Sequence, residues 1–129
     1  MGQRRAVVVS VLAGALLFPA AAPGAAESFL RRPPYVGLIC GVRHPKCQSM
    51  GIAVWVTGRP VLLAGIVRGR TVRFAAPPAN VRIRDYWQVF VPRDGVQVGE
   101  AIKLVLRAQY SNGSRASRTV RVRLMPGWG

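Results

Sequence analysis

Two cysteines, one histidine, four carboxylates and three methionines are the stock of metal-binding and acid–base side chains in this 129-residue chain. Cys40, His44, Cys47 and Met50 fall in one short stretch, and all four are soft ligands of the kind copper and zinc accept. A copper site would need a second histidine, and His44 is the only one; a zinc site would lack its fourth ligand unless a partner supplied it. The spacing points to simpler chemistry. Cys40 and Cys47 enclose Gly-Val-Arg-His-Pro-Lys, and in an exported chain two cysteines this close form a local disulfide. Cys-x-x-Cys spacing is missing, so thiol redox catalysis is not expected, and neither is a metal or any other cofactor.

The carboxylates lead to the same place. Asp85 follows Arg84 and Asp94 follows Arg93, an arrangement that suits surface ion pairing or turn capping better than paired acid–base work. Glycoside hydrolysis would need two carboxylates facing across a cleft. Gly-x-Ser-x-Gly, a phosphate loop and His-Glu-x-x-His are all missing. The expectation is a protein that is not an enzyme.

What the chain has in excess is positive charge: 19 Lys and Arg against four acids, a formal +15, with only Lys46 and Lys103 as lysines. Such a field draws anionic polymers and phosphate head groups, and nucleic acid non-specifically. A GC-rich coding sequence would enrich Arg, Ala, Gly, Val and Pro together, and the arginines are spread over most of the chain. Four cations nevertheless fall into one pattern. In residues 100–125, Ile102, Leu104, Leu106 and Ala108, then Val120, Val122 and Leu124, occupy even positions, which leaves Lys103, Arg107, Arg121 and Arg123 on the opposite face of a strand pair. These four are the candidate binding residues. The aromatic residues form a second pattern: if Ile52, Val54 and Val56 face a core, Trp55 faces out, and if Trp87, Val89 and Val91 face in, Tyr86 and Phe90 face out. Outward rings can stack on sugars or cover sheet edges. Trp128, in the terminal Pro-Gly-Trp-Gly, is either frayed or folded back on the domain.

The elements that position these groups read as strands. Asn112-Gly113 between two β-forming runs signals a hairpin. Directly opposite residues share a face, so even positions must pair with even ones and the loop must be odd, such as a three-residue turn with Gly113 left-handed. Upstream, residues 35–40 suit a short edge strand and 51–57 a strand. Residues 61–67 and 71–75 suit a hairpin through Arg68-Gly69-Arg70, and 81–83 with 86–91 suit one broken strand or two. Pro92-Arg93-Asp94-Gly95 is a turn by composition. Turn signals about every ten residues and no helical period indicate an antiparallel sandwich of about seven strands, all-β, over residues 35–129.

Residues 1–26 read as a signal peptide. Arg4-Arg5 precede an uncharged apolar run over 6–18, and small residues end at Gly24-Ala25-Ala26, which places cleavage before Glu27. The apolar run is shorter than the roughly 20 residues of a membrane span, and Pro19 and Pro23 interrupt the uncharged residues beyond it. An uncleaved anchor is therefore the weaker alternative, and no integral span remains after cleavage. Cleavage removes Arg4 and Arg5 and lowers the formal charge from +15 to +13. Residues 27–34, with two prolines, read as a flexible lead-in.

The span 51–125, and above all Leu104-Val105-Leu106-Arg107-Ala108-Gln109-Tyr110-Ser111-Asn112-Gly113 with Thr119-Val120-Arg121-Val122, resembles the closing strand pair of immunoglobulin-like or fibronectin-III-like modules of secreted bacterial proteins. The chain departs from true immunoglobulin domains in having no Cys–Trp–Cys spacing, and its cysteines are too close to join two sheets. The resemblance implies an adhesive, spacer or binding unit. Together these readings give an exported domain, secreted or in the cell envelope, that binds anionic envelope polymers (polysaccharide or teichoic-acid-like) through its basic face. The alternative is a structural or accessory domain with a protein partner.

Overall fold

Apolar residues recur at every second position along most of the chain, and this period produces strands. The computed structural model describes residues 29–41 and 44–128, without the side chains of His44 and Pro45; the leader and its junction at Glu27 lie outside the described residues. Seven strands succeed one another in chain order: β1 (Tyr35–Gly41), β2 (His44–Val54), β3 (Leu62–Val67), β4 (Arg70–Arg73), β5 (Trp87–Pro92), β6 (Ala101–Gln109) and β7 (Arg115–Met125). Among the described residues there is no helix, and so none long and apolar enough to cross a membrane.

The strands form one sheet in the order β4-β3-β6-β7-β1-β2-β5. Every neighbouring pair is antiparallel except β1 and β7, which run parallel through Val36↔Leu124 and Gly37↔Met125. The all-β class and the seven strands agree with the sequence reading; the purely antiparallel arrangement expected there is not found, because β1 and β7 pair in parallel. The sheet is mixed and curls almost into a barrel. Ala75, just beyond β4, and Gln88 of β5 exchange both backbone hydrogen bonds, at 2.8 and 3.1 Å, so the two outermost strands meet. Curling turns one face inward, and there Val36, Met50, Ile52, Val54, Leu63, Leu104, Leu106 and Leu124 are fully buried. Each such side chain contributes about 1.5–3 kcal/mol of burial.

The last hairpin follows from parity. Ile102↔Val122, Leu104↔Val120 and Ala108↔Ala116 pair even with even. The Gly113 N–H donates to the Tyr110 carbonyl and the Tyr110 N–H to the Ser114 carbonyl, both at 2.9 Å, which closes a three-residue turn with Gly113 at φ +88°. The β3–β4 hairpin is tighter than its sequence suggests. Val67 pairs directly with Arg70, leaving a two-residue Arg68–Gly69 turn with φ of +51° and +79°. Both residues being left-handed matches the twist of the flanking strands, so Arg68 accepts a conformation that glycine takes more readily.

Four further expectations are corrected. Residues 35–41 are not an edge strand, because β1 lies between β2 and β7; its prolines precede it, so every β1 residue keeps its N–H for a neighbour. The strand expected at 51–57 begins instead at His44 and ends at Val54. Residues 81–83 form a turn, not a strand: Asn80 accepts from the Arg82 N–H through Oδ1 (3.0 Å) and from the Ile83 N–H through its carbonyl (3.1 Å). The described part of the lead-in is packed rather than loose. Leu30 bridges Val56, the Arg31 N–H donates to the Trp55 carbonyl at 2.9 Å, and Phe29 is only 2 % exposed.

Tyr110 ties the end of β6 to the segment after β2, its hydroxyl donating to the Thr57 carbonyl at 2.7 Å. Burial raises the phenol above its ordinary pKa. A raised acid favours the protonated form when folded, so this stability is complete below about pH 10 and is lost as pH rises toward the folded pKa. Tyr110→Phe is expected to cost about 1 kcal/mol in urea unfolding at neutral pH and to remove that alkaline loss.

Candidate functional site

The inner face is filled by core side chains, which leaves the outer face of the sheet and the loops open to solvent. On β6 and β7 the odd positions point outward, and Lys103, Arg107, Arg121 and Arg123 are all exposed. Lys103 pairs directly with Arg121, Arg123 sits opposite Ala101, and Arg107 sits opposite Ser117. Directly paired side chains lie roughly 5 Å apart, so Lys103 and Arg121 repel unless water or an anion screens them. The Arg123 guanidinium donates to the Gly99 carbonyl at 2.7 Å, which holds it over the start of β6. The four predicted residues are therefore brought onto one surface.

Two more cations share it. Ala64 pairs with Arg107 on one side and Arg73 on the other, and Gln109 pairs with Arg115, so exposed Arg73 and Arg115 extend the same outer face. Sequence reasoning missed Arg73 because β4 joins this face only through β3, a long-range order that no local pattern shows. Arg115 was within reach: it continues the odd positions of β7.

The described carboxylates are engaged elsewhere. Asp94 pairs with Arg70 at 3.2 Å, and Glu100 accepts from the Gln97 N–H at 3.0 Å. Asp85 accepts from the Trp55 indole N–H at 3.1 Å and lies 3.8 Å from the Arg31 guanidinium. The sequence neighbours Arg84 and Arg93 are not the ion-pair partners. Arg84 donates to the Ala76 and Tyr86 carbonyls (2.6 and 3.1 Å), and Arg93 to those of Val96 and Cys47 (2.7 and 3.3 Å). Both arginines brace loops, and the two aspartates pair instead with Arg31 of the lead-in and Arg70 of β4.

Cys40 and Cys47 are bonded to each other, with Cα atoms 4.2 Å apart. The bond spans an irregularity in the β1–β2 hairpin, between the pairs Ile39↔Ser49 and Gly41↔His44, where Lys46 and Cys47 are left-handed at φ +59° and +53°. Of the soft ligands in this stretch, both sulfurs are in the bond and Met50 is fully buried in the core, while the His44 side chain lies outside the described residues.

The other half of the outer face is aromatic. Trp55, Tyr86 and Phe90 point outward, as alternation requires, and Trp128 folds back among them. Its ring lies 6.2 Å from Tyr35, 6.1 Å from Tyr86 and 5.8 Å from Phe90, and Trp55 stands 5.3 Å from Tyr86. Two paired glycines make room for this tail. A Cβ on Gly37 would collide with the Gly127 carbonyl oxygen, and one on Gly51 would fall 2.6 Å from the Trp128 ring. The Tyr35 hydroxyl also donates to the Gly127 carbonyl. Tyr35, Ala53, Trp55, Tyr86 and Trp128 together line a cleft of about 300 Å³.

No protein-family model, curated protein or solved structure matches this chain.

Proposed function

We propose that the chain is an exported, non-enzymatic immunoglobulin-like module whose basic outer face binds anionic polymers of the cell envelope, polysaccharide or teichoic-acid-like. The observation that carries this reading is the cluster of six outward cations on β4, β6 and β7, while every described carboxylate is occupied elsewhere. The immunoglobulin-like reading draws support from the pairing order: β1–β2, β3–β4 and β6–β7 are hairpins, while β2 pairs with β5 and β3 with β6. The disulfide is compatible with a location outside the cytoplasm. Nucleic acid is a non-specific ligand in this reading, held by the same charges.

The test is the salt dependence of affinity for a soluble polyanion. Each phosphate or carboxylate neutralised releases counterions, so log K falls linearly with log salt. Arg121→Gln with Arg123→Gln is expected to flatten that slope by about 1.4–1.8, at roughly 0.7–0.9 for each anionic group no longer neutralised. The fold should be unchanged, because both side chains are exposed. A variant with an unaltered slope would reduce this charge to a solvated surface.

The second reading, a structural or accessory protein-interaction domain, is favoured by the 76–83 loop. Val81 and Ile83 are 65 % and 70 % exposed, and Val81 lines a cleft of about 500 Å³ that includes Pro60, Pro77, Pro78 and Trp87. Apolar exposure of this kind on a loop suits a protein partner. Retention of a partner that Val81→Ser with Ile83→Ser abolishes, and that salt leaves alone, would favour it.

A further inference from the structure

From the geometry we infer that the aromatic cleft is a saccharide subsite, and that the anionic polymer this protein takes is an acidic polysaccharide whose pyranose rings stack on Trp55 and Tyr86. The choice of an acidic chain rests on the basic-face reading above; the stacking site does not.

The cleft has the construction such a ligand needs. Its floor is Ala53, small and buried, and its walls are rings tilted against one another, with the Trp55 and Tyr86 planes at 57° and the Tyr86 and Trp128 planes at 89°. Aromatic faces are negative and attract the weakly positive C–H groups of a sugar ring, an attraction that a bare phosphate chain cannot provide. At about 300 Å³ the cleft is at the small end of ligand sites, on the scale of a sugar unit. Its rings are held in place before any ligand arrives: the Trp55 indole N–H is bonded to Asp85, and Trp128 is seated on Gly51.

The charge around the cleft selects an acidic ring. The Arg32 guanidinium lies 4.6 Å from the Trp55 ring centre and that of Arg84 lies 6.0 Å from Tyr86. Among the described residues neither forms an ion pair with a carboxylate, while Asp85 is already matched by Arg31. Arg32 also connects the two halves of the outer face. It lines, with Arg118 and Arg121, a second cleft of about 370 Å³ between the lead-in and β7. Cations and rings therefore follow one another from Lys103 and Arg121 through Arg32 to Trp55, Tyr86 and Arg84. A polymer alternating carboxylates with sugar rings fits that succession, whereas polyphosphate, with neither rings nor C–H groups, would use only its charges.

The experiment compares three probes on the full chain at moderate salt: an oligogalacturonate, a polyphosphate of similar charge and neutral maltohexaose. Oligogalacturonate should bind best and perturb tryptophan fluorescence. Trp55→Ala should weaken it about 3- to 10-fold and leave polyphosphate unchanged, and Trp55→Phe, which keeps a stacking face, should recover most of the loss. Arg121→Gln with Arg123→Gln should weaken both anions. If Trp55→Ala changes both anions equally or neither, or if maltohexaose binds as well as the uronate, the saccharide subsite is overturned while the basic face stands. If the uronate responds to Trp55→Ala but to neither arginine substitution, the basic-face reading falls and the subsite stands. If no probe binds, both fall.

Discussion

Replacing Cys40 and Cys47 with serine is expected to lower stability by about 2.5 kcal/mol, from the entropy of reopening a loop of about eight residues in the unfolded chain. For a domain of this size that is a fall in Tm of roughly 10–20 °C. The structure adds a local reason for the loss. Lys46 and Cys47 hold left-handed backbone that non-glycine residues adopt reluctantly, and the cross-link to Cys40 is what keeps them there, helped by the Arg93 guanidinium on the Cys47 carbonyl at 3.3 Å. Reductant should therefore bring the wild type to the stability of the variant and leave the variant itself unchanged. Equal stability of oxidised and reduced wild type would show that β1 and β2 close without the bond.

The second large effect belongs to the glycine pair under the tail. Gly51→Ala places a Cβ within 2.6–2.8 Å of three atoms of the Trp128 ring, so the ring must leave its seat. Overpacking of this kind costs about 1–3 kcal/mol. Alanine is otherwise the better strand residue and restricts the unfolded chain, worth about 0.4–1 kcal/mol in its favour. The sign should thus reverse with context: Gly51→Ala destabilises the wild type and stabilises a Trp128→Ala background. A double-mutant cycle by chemical denaturation reads the coupling directly. Additive effects would mean that the tail is not seated on Gly51.

How much of this was legible in the sequence depended on the range over which each signal acts. The β6–β7 hairpin was readable to its register, because parity and Asn112-Gly113 are local and Gly113 has to be left-handed for the loop to be odd. The disulfide was readable for the same reason. The start of β2 was not, since the left-handed Lys46 and Cys47 interrupt the alternation that would have revealed a strand from His44 onward. Val81 and Ile83 misled because β-branched side chains say strand while Asn80, beside them, supplies the turn. Arg73 joined the basic face, and Trp128 found Gly51, through pairings far apart along the chain, which no window of residues reports. The position of β1 between two partners is the same kind of fact.

That position has a mechanical consequence. β1 and β7 run in the same direction, so the upstream end of β1 and the downstream end of β7 lie at opposite ends of their shared seam. A pull applied through those two ends slides the strands lengthwise and loads the bonds of the seam together. Were the pair antiparallel, the same pull would part its bonds one after another, as a zip opens. Tension applied through those two ends would thus meet shear first, with the Cys40–Cys47 bond keeping the β1–β2 loop from lengthening as slack.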